Sequence, residues 1–132
     1  LLTIIENNNL AKQINIRSEV NSQELGNIYK KAKGLIITSS REGGPRVALE
    51  AAAFNLPVFG TNVGIMGELF PQEVLADPNN EDEIIFLIRS FVPLAKSLNV
   101  SAIKERIFES YTVESSAKKV SKIYNLVLSN SL

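Results

Sequence analysis

Two glutamates, Glu42 and Glu50, stand eight residues apart in the stretch REGGPRVALEAAAFNLP, Arg41 to Pro57, with a Gly-Gly-Pro turn and Arg46 between them. Gly43 and Gly44 carry no Cβ, so a ligand can come close to their backbone. Pro45 fits the first position of a helix, where a missing N–H costs nothing. The amides of Arg46 and Val47 would then be unpaired in the first turn, and free amides together with the helix dipole make a site for phosphate.

Arg46 has two readings. A cation in the first turn of a helix opposes the dipole, and a bound diphosphate would reverse that penalty. Arg46 could equally extend into solvent or pair with Glu50 one turn later. Glu50 follows Arg46 by four residues, a displacement of about 6 Å along one helix face. That is close to the step from a diphosphate to the ribose of the same nucleotide, and a carboxylate there can accept hydrogen bonds from vicinal ribose hydroxyls. Glu42 precedes the turn. It could hold a sugar hydroxyl or balance charge at a departing bond, which makes it the candidate catalytic residue. Either glutamate taken alone would read as an exposed side chain.

Composition narrows the chemistry. Among 132 residues there is no cysteine and no histidine. Thiolate nucleophiles, thiolate zinc sites, Ser-His-Asp arrangements and most transition-metal sites are thereby excluded. Carboxylates, Lys, Arg, Tyr and backbone groups remain. Fourteen basic and fourteen acidic residues balance, so no global field recruits nucleic acid or an anionic membrane, and an anion site must be local. With 45% hydrophobic residues the chain is not disordered. The longest apolar run, Ile84 to Ile88, is far too short to span a bilayer. No signal peptide is visible, so a cytoplasmic location is expected. The first residue is Leu1, not methionine, and the chain reads as a trimmed or partial form of a larger protein.

The elements that must hold this loop alternate between strand and helix patterns, which predicts an α/β fold with a parallel sheet in a single domain, 1–132. Leu1 to Ile5 reads as the tail of a helix ended by Asn7, Asn8 and Asn9. Ile14 to Ile16 is a short strand candidate. Asn21 or Ser22 can cap a helix whose buried face is Leu25, Ile28, Tyr29 and Ala32. Gly34 to Ser40 reads as a buried strand, Pro45 to Phe54 as a helix and Leu56 to Thr61 as the next strand. The loop would thus leave the carboxyl end of a strand, where open α/β sheets bind ligands. A short helix near Met66 to Phe70 and a strand near Val74 to Ala76 follow. After Asp77-Pro78 the chain turns helical, with Asn79 or Asn80 as the cap, a kink or stop at Pro93, a helix near Ser101 to Ser110 and a last helix from about Thr112. Val113, Ala117, Val120, Tyr124 and Val127 form one stripe on that helix. Lys118, Lys119 and Lys122 lie off it and read as a solvated face.

The segment SSREGGPRVALEAAAFNLPVFGTNVGIMGELF resembles the donor-site signature of retaining GT-B glycosyltransferases, of the group 1 or family 4 type. The matching positions are Ser39, Glu42, Gly43, Glu50, Ala51, Leu56-Pro57-Val58, Thr61, Gly64 and Glu68. The resemblance implies a Rossmann-like parallel sheet with helices on both faces and a helical C-terminal tail. It implies that Glu50 binds ribose, that Glu42 contacts the donor sugar, and that amides near Gly43, Gly44, Arg46 and Val47 hold the diphosphate of a nucleotide diphosphate sugar. No metal and no further cofactor is implied. The acceptor-binding N-terminal domain and the family's phosphate-binding Arg and Lys would precede Leu1, so this chain alone is expected to be inactive. Peripheral membrane contact of the full protein is compatible with the family. Asn55 and Ile65 stand where the family usually has glycine, Gly34 where it commonly has Asp, and Pro71-Gln72-Glu73 replaces a longer glycine-containing loop. These departures also fit a glycosyltransferase-like binding or scaffold module without chemistry. A nucleotide-sugar epimerase is disfavoured by the lack of histidine, and a dinucleotide oxidoreductase by the lack of G-x-G-x-x-G after a strand.

Overall fold

The computed structural model describes residues 2–129. Three strands, β1 (Leu35–Ile37), β2 (Val58–Thr61) and β3 (Leu75–Ala76), form one sheet in the order β1-β2-β3, with both pairs parallel. Parallel neighbours need crossover connections. The first crossover carries α3 (Arg46–Ala53). The second carries the short α4 (Met66–Leu69) and a 3-10 turn at Gln72–Val74. All four residues of β2 are buried. Because alternate side chains point to opposite faces, both faces of the sheet are covered. Helix α3 packs on β1 and β2, and α5 (Glu81–Arg89) packs on β2 and β3. This is the α/β arrangement with a parallel sheet that the alternating pattern predicts, in the Rossmann-like form that the resemblance implies.

The alanines explain how closely α3 sits. Ala48, Ala51 and Ala52 are fully buried between the sheet and α7 (Val100–Ser110). Phe59, Met66, Leu69 and Val74 complete the centre of the core. Helix α2 (Ser22–Lys31) begins at Asn21, whose side chain accepts from the Glu24 amide at 2.9 Å. Asn80 caps α5 in the same way. The break between α5 and α6 (Phe91–Ser97) falls at Ser90, just before Pro93. Pro93 therefore sits in the first turn of α6, where its missing N–H is tolerated. The last helix, α8 (Val113–Ser129), has no buried residue, and its stripe of Val113, Val120, Tyr124 and Val127 faces outward. Among the described residues no helix is long and apolar enough to cross a membrane.

Ile14 to Ile16 is not a strand. The Ile14 amide donates to the Leu10 carbonyl at 3.0 Å in a local turn. Both isoleucines are exposed, at 42% and 48%. Without a neighbouring strand, extended backbone has no ladder to satisfy it. The strand expected from Gly34 to Ser40 is also shorter, because pairing with β2 stops at the Ile37–Gly60 register.

Two departures from the family pattern have local explanations. Asn55 has φ +58°. Its amide donates to the Ala52 carbonyl at 2.9 Å, and the next amide, Leu56, reaches back to Ala51 at 3.0 Å. This is a Schellman termination with asparagine at the left-handed position that glycine usually holds. Asn9, φ +56°, ends α1 (Leu2–Asn7) by the same pair of bonds. At Gly34, a Cβ would lie 2.1 Å from the Phe91 ring, which itself packs on Phe59 with ring centroids 4.7 Å apart. Asn55→Gly is expected to hold or raise stability and Asn55→Ala to lower it by about 1 kcal/mol, because only the latter loses a left-handed former. Gly34→Ala is expected to cost about 1–3 kcal/mol by overpacking the Phe91 ring. Chemical denaturation of the three variants checks both statements.

Candidate functional site

The loop from Thr38 to Pro45 leaves the carboxyl end of β1 and leads into α3. Glu42, Gly43 and Gly44 are exposed in it. Pro45 does not occupy the first helical position. It precedes the helix with φ −68° and ψ 100°, is buried, and offers its carbonyl to the Ala48 amide at 2.9 Å. An extended ψ excludes Pro45 from the helix while its carbonyl starts the hydrogen-bonded turn. The consequence for the next residues is unchanged: among the described residues no hydrogen bond involves the Arg46 and Val47 amides. Both residues are exposed at the positive end of α3. A Cβ on Gly43 would meet nothing within 4 Å, so that side of the turn is open, whereas Gly44 faces the Ile65 side chain at 3.8 Å.

The loop after β2 supports the turn from the other side. Gly64 has φ +53°, and a Cβ there would fall 2.6 Å from the Gly43 carbonyl oxygen and 2.8 Å from that of Glu42. Thr61, 1% exposed, donates through Oγ1 to the Ser39 carbonyl at 2.6 Å. The Ser39 hydroxyl donates to Glu42 Oε1 at 3.0 Å.

Glu50 sits on α3, half-buried. Its partner is not Arg46. Among the described residues the one ion pair within 4 Å is Arg17 with Glu24. Instead, the Tyr29 hydroxyl on α2 donates to Glu50 Oε2 at 3.3 Å, and Oε1 accepts no hydrogen bond among the described residues. Tyr29 is 5% exposed. Burial, then the charge of Glu50, then the hydrogen bond push its phenol up to about 12. Glu50, Tyr29 and Phe54 help line a pocket of about 180 Å³ between α2 and α3.

The structure therefore gathers Glu42, Gly43, Gly44, Arg46 and Val47 at one turn and places Glu50 on the following helix. The sequence pattern gave Tyr29 only a place on the buried face of α2. The signal that it does more is its hydroxyl, since a buried Tyr usually finds a partner. Ser39 and Thr61 belong to the matching pattern, but nothing local in the chain links them. Glu68 serves packing: its carboxylate accepts from Tyr111 at 3.2 Å and its carbonyl from Arg106, tying α4 to α7 and its C-terminal end. Among the described residues no cluster of three or more His, Cys, Asp or Glu is placed to hold a metal ion.

A parallel α/β sheet with a glycine turn and open helix amides at a strand's carboxyl end has the edge at which open α/β folds bind ligands. The chain matches the family described as glycosyl transferases group 1 over residues 1–106, and it belongs to that family. No curated protein and no solved structure matches it.

Two outcomes follow from this geometry. Gly64→Ala is expected to destabilise the chain by at least about 1–2 kcal/mol, because a left-handed backbone and a carbonyl collision combine; thermal unfolding measures it. For Tyr29, the folded pKa lies above the ordinary value of 10.0. Its contribution is thus complete below about pH 10 and is lost as pH rises through about 12. Phenolate absorbance is expected to show a component with a midpoint near 12, and Tyr29→Phe is expected to remove it.

Proposed function

We propose that this chain is the donor-binding part of a glycosyltransferase that moves a sugar from a nucleotide diphosphate sugar to an acceptor with the anomeric configuration kept. Group 1 family membership supports the transfer of a glycosyl group. The observation that carries the finer reading is the pair of open amides on Arg46 and Val47 beside the uncovered face of Gly43. In this reading they receive the diphosphate, with the Arg46 guanidinium adding charge. Glu50 accepts from the ribose hydroxyls through Oε1, while Tyr29 holds Oε2 and fixes the carboxylate. Glu42 lies on the sugar side of the turn, where a carboxylate holds a sugar hydroxyl or balances charge at the bond being broken. This half contributes positioning and stabilisation of the departing diphosphate, without a metal. A separate N-terminal domain holds the acceptor.

Titration with nucleoside diphosphates tests the reading. Glu50→Ala is expected to weaken binding about tenfold or more, since a hydrogen bond to a charged group contributes about 1.5–3 kcal/mol. The wild type should prefer ribose over 2′-deoxyribose ligands and the variant should lose that preference. Equal affinity of both proteins for the ribonucleotide, with the fold intact, would remove the ribose role from Glu50.

A further inference from the structure

We infer that Thr61 and Ser39 are positioning residues that set the direction of the Glu42 carboxylate toward the donor sugar. The inference rests on the donor-site reading above and adds to it the means by which an exposed glutamate is held still. A surface Glu has several rotamers of similar energy and loses entropy when it is held in one. Glu42 is exposed, yet two linked hydrogen bonds run to it from the core. Thr61 ends β2 with its side chain buried. Its hydroxyl proton goes to the Ser39 carbonyl at 2.6 Å, across 22 residues of sequence. That bond fixes the backbone of Ser39 just after β1. The Ser39 hydroxyl then donates to Glu42 Oε1 at 3.0 Å, while Glu42 Oε2 accepts no hydrogen bond among the described residues. One carboxylate oxygen is therefore held and the other is presented outward.

The backbone beneath is held at the same place. Gly64 lies against the Glu42 and Gly43 carbonyls, and Ile65 lies against Gly44. The turn thus has little freedom to follow a carboxylate that swings away. A valine in place of Thr61 would fill nearly the same volume but leave the Ser39 carbonyl without its donor, so the two functions of Thr61, packing and hydrogen bonding, are separable. Serine keeps the hydroxyl and loses only a methyl.

The test compares two ligands in the same chain: a nucleoside diphosphate and the matching nucleoside diphosphate sugar. The probes are UDP with UDP-glucose and GDP with GDP-mannose, titrated calorimetrically or by ligand-observed NMR, and the pair that the wild type binds is carried into the variants. Ser39→Ala and Thr61→Val are each expected to weaken the sugar-bearing ligand about three- to tenfold, the range that one lost hydrogen bond gives. Affinity for the nucleoside diphosphate should stay unchanged, and Thr61→Ser should restore the sugar preference. A purely structural role would instead weaken both ligands together. Ser39→Ala added to Glu42→Ala should have no further effect, because the residue acts through Glu42. Equal weakening of both ligands, no weakening of either, or additive losses in the double variant would overturn the inference while leaving the donor-site reading in place. Failure of the wild type to bind any of the four probes would overturn both.

Discussion

The close parallel approach of β1 and β2 at Gly60 is the constraint on which the site depends. Gly60 pairs in register with Ile37, and a Cβ there would lie 2.4 Å from the Ile37 carbonyl oxygen. With no side chain between the strands, the residues that follow each of them leave the sheet side by side. Thr61 comes within hydrogen-bonding reach of Ser39, and Gly64 comes under the Glu42–Gly43 peptides. Two exit loops are thereby welded into one unit at the carboxyl edge of the sheet. A parallel sheet offers ligands that edge because its crossovers all deliver helix N-termini there.

Helix α3 carries the second half of the arrangement. Its buried alanines let it lie close to the sheet and to α7, and this fixes the direction in which its first amides point. The same closeness brings Glu50 against α2, where Tyr29 replaces Arg46 as its partner. A neutral donor orients one carboxylate oxygen without neutralising the charge, and it leaves Arg46 unpaired with Glu50 at the N-terminal end of the helix.

Three of the positions that depart from the family pattern are absorbed by ordinary packing. Asparagine takes a left-handed φ at the end of α3, as it does at the end of α1. Phe91 fills the space beside Gly34 and closes on Phe59. Ile65 covers Gly44 while leaving Gly43 open. None of the three disturbs the turn that carries the open amides.

The sequence by itself determined most of the elements, their order and the loop that carries the candidate residues. Those features are local: helix caps at Asn21 and Asn80, the alternation of apolar runs with helical periodicity, and the Gly-Gly-Pro turn act within a few residues of themselves. The pattern also placed Glu42 in a loop and Glu50 on the helix after it. Tertiary structure decided the rest. Whether Ile14 to Ile16 becomes a strand depends on a pairing partner, not on its own propensity. The extent of β1 is set by its register with β2. The Tyr29–Glu50 and Thr61–Ser39 bonds span 21 and 22 residues, and no short-range signal encodes such separations. They exist because strand register and helix packing bring those side chains together, and that is a property of the folded sheet.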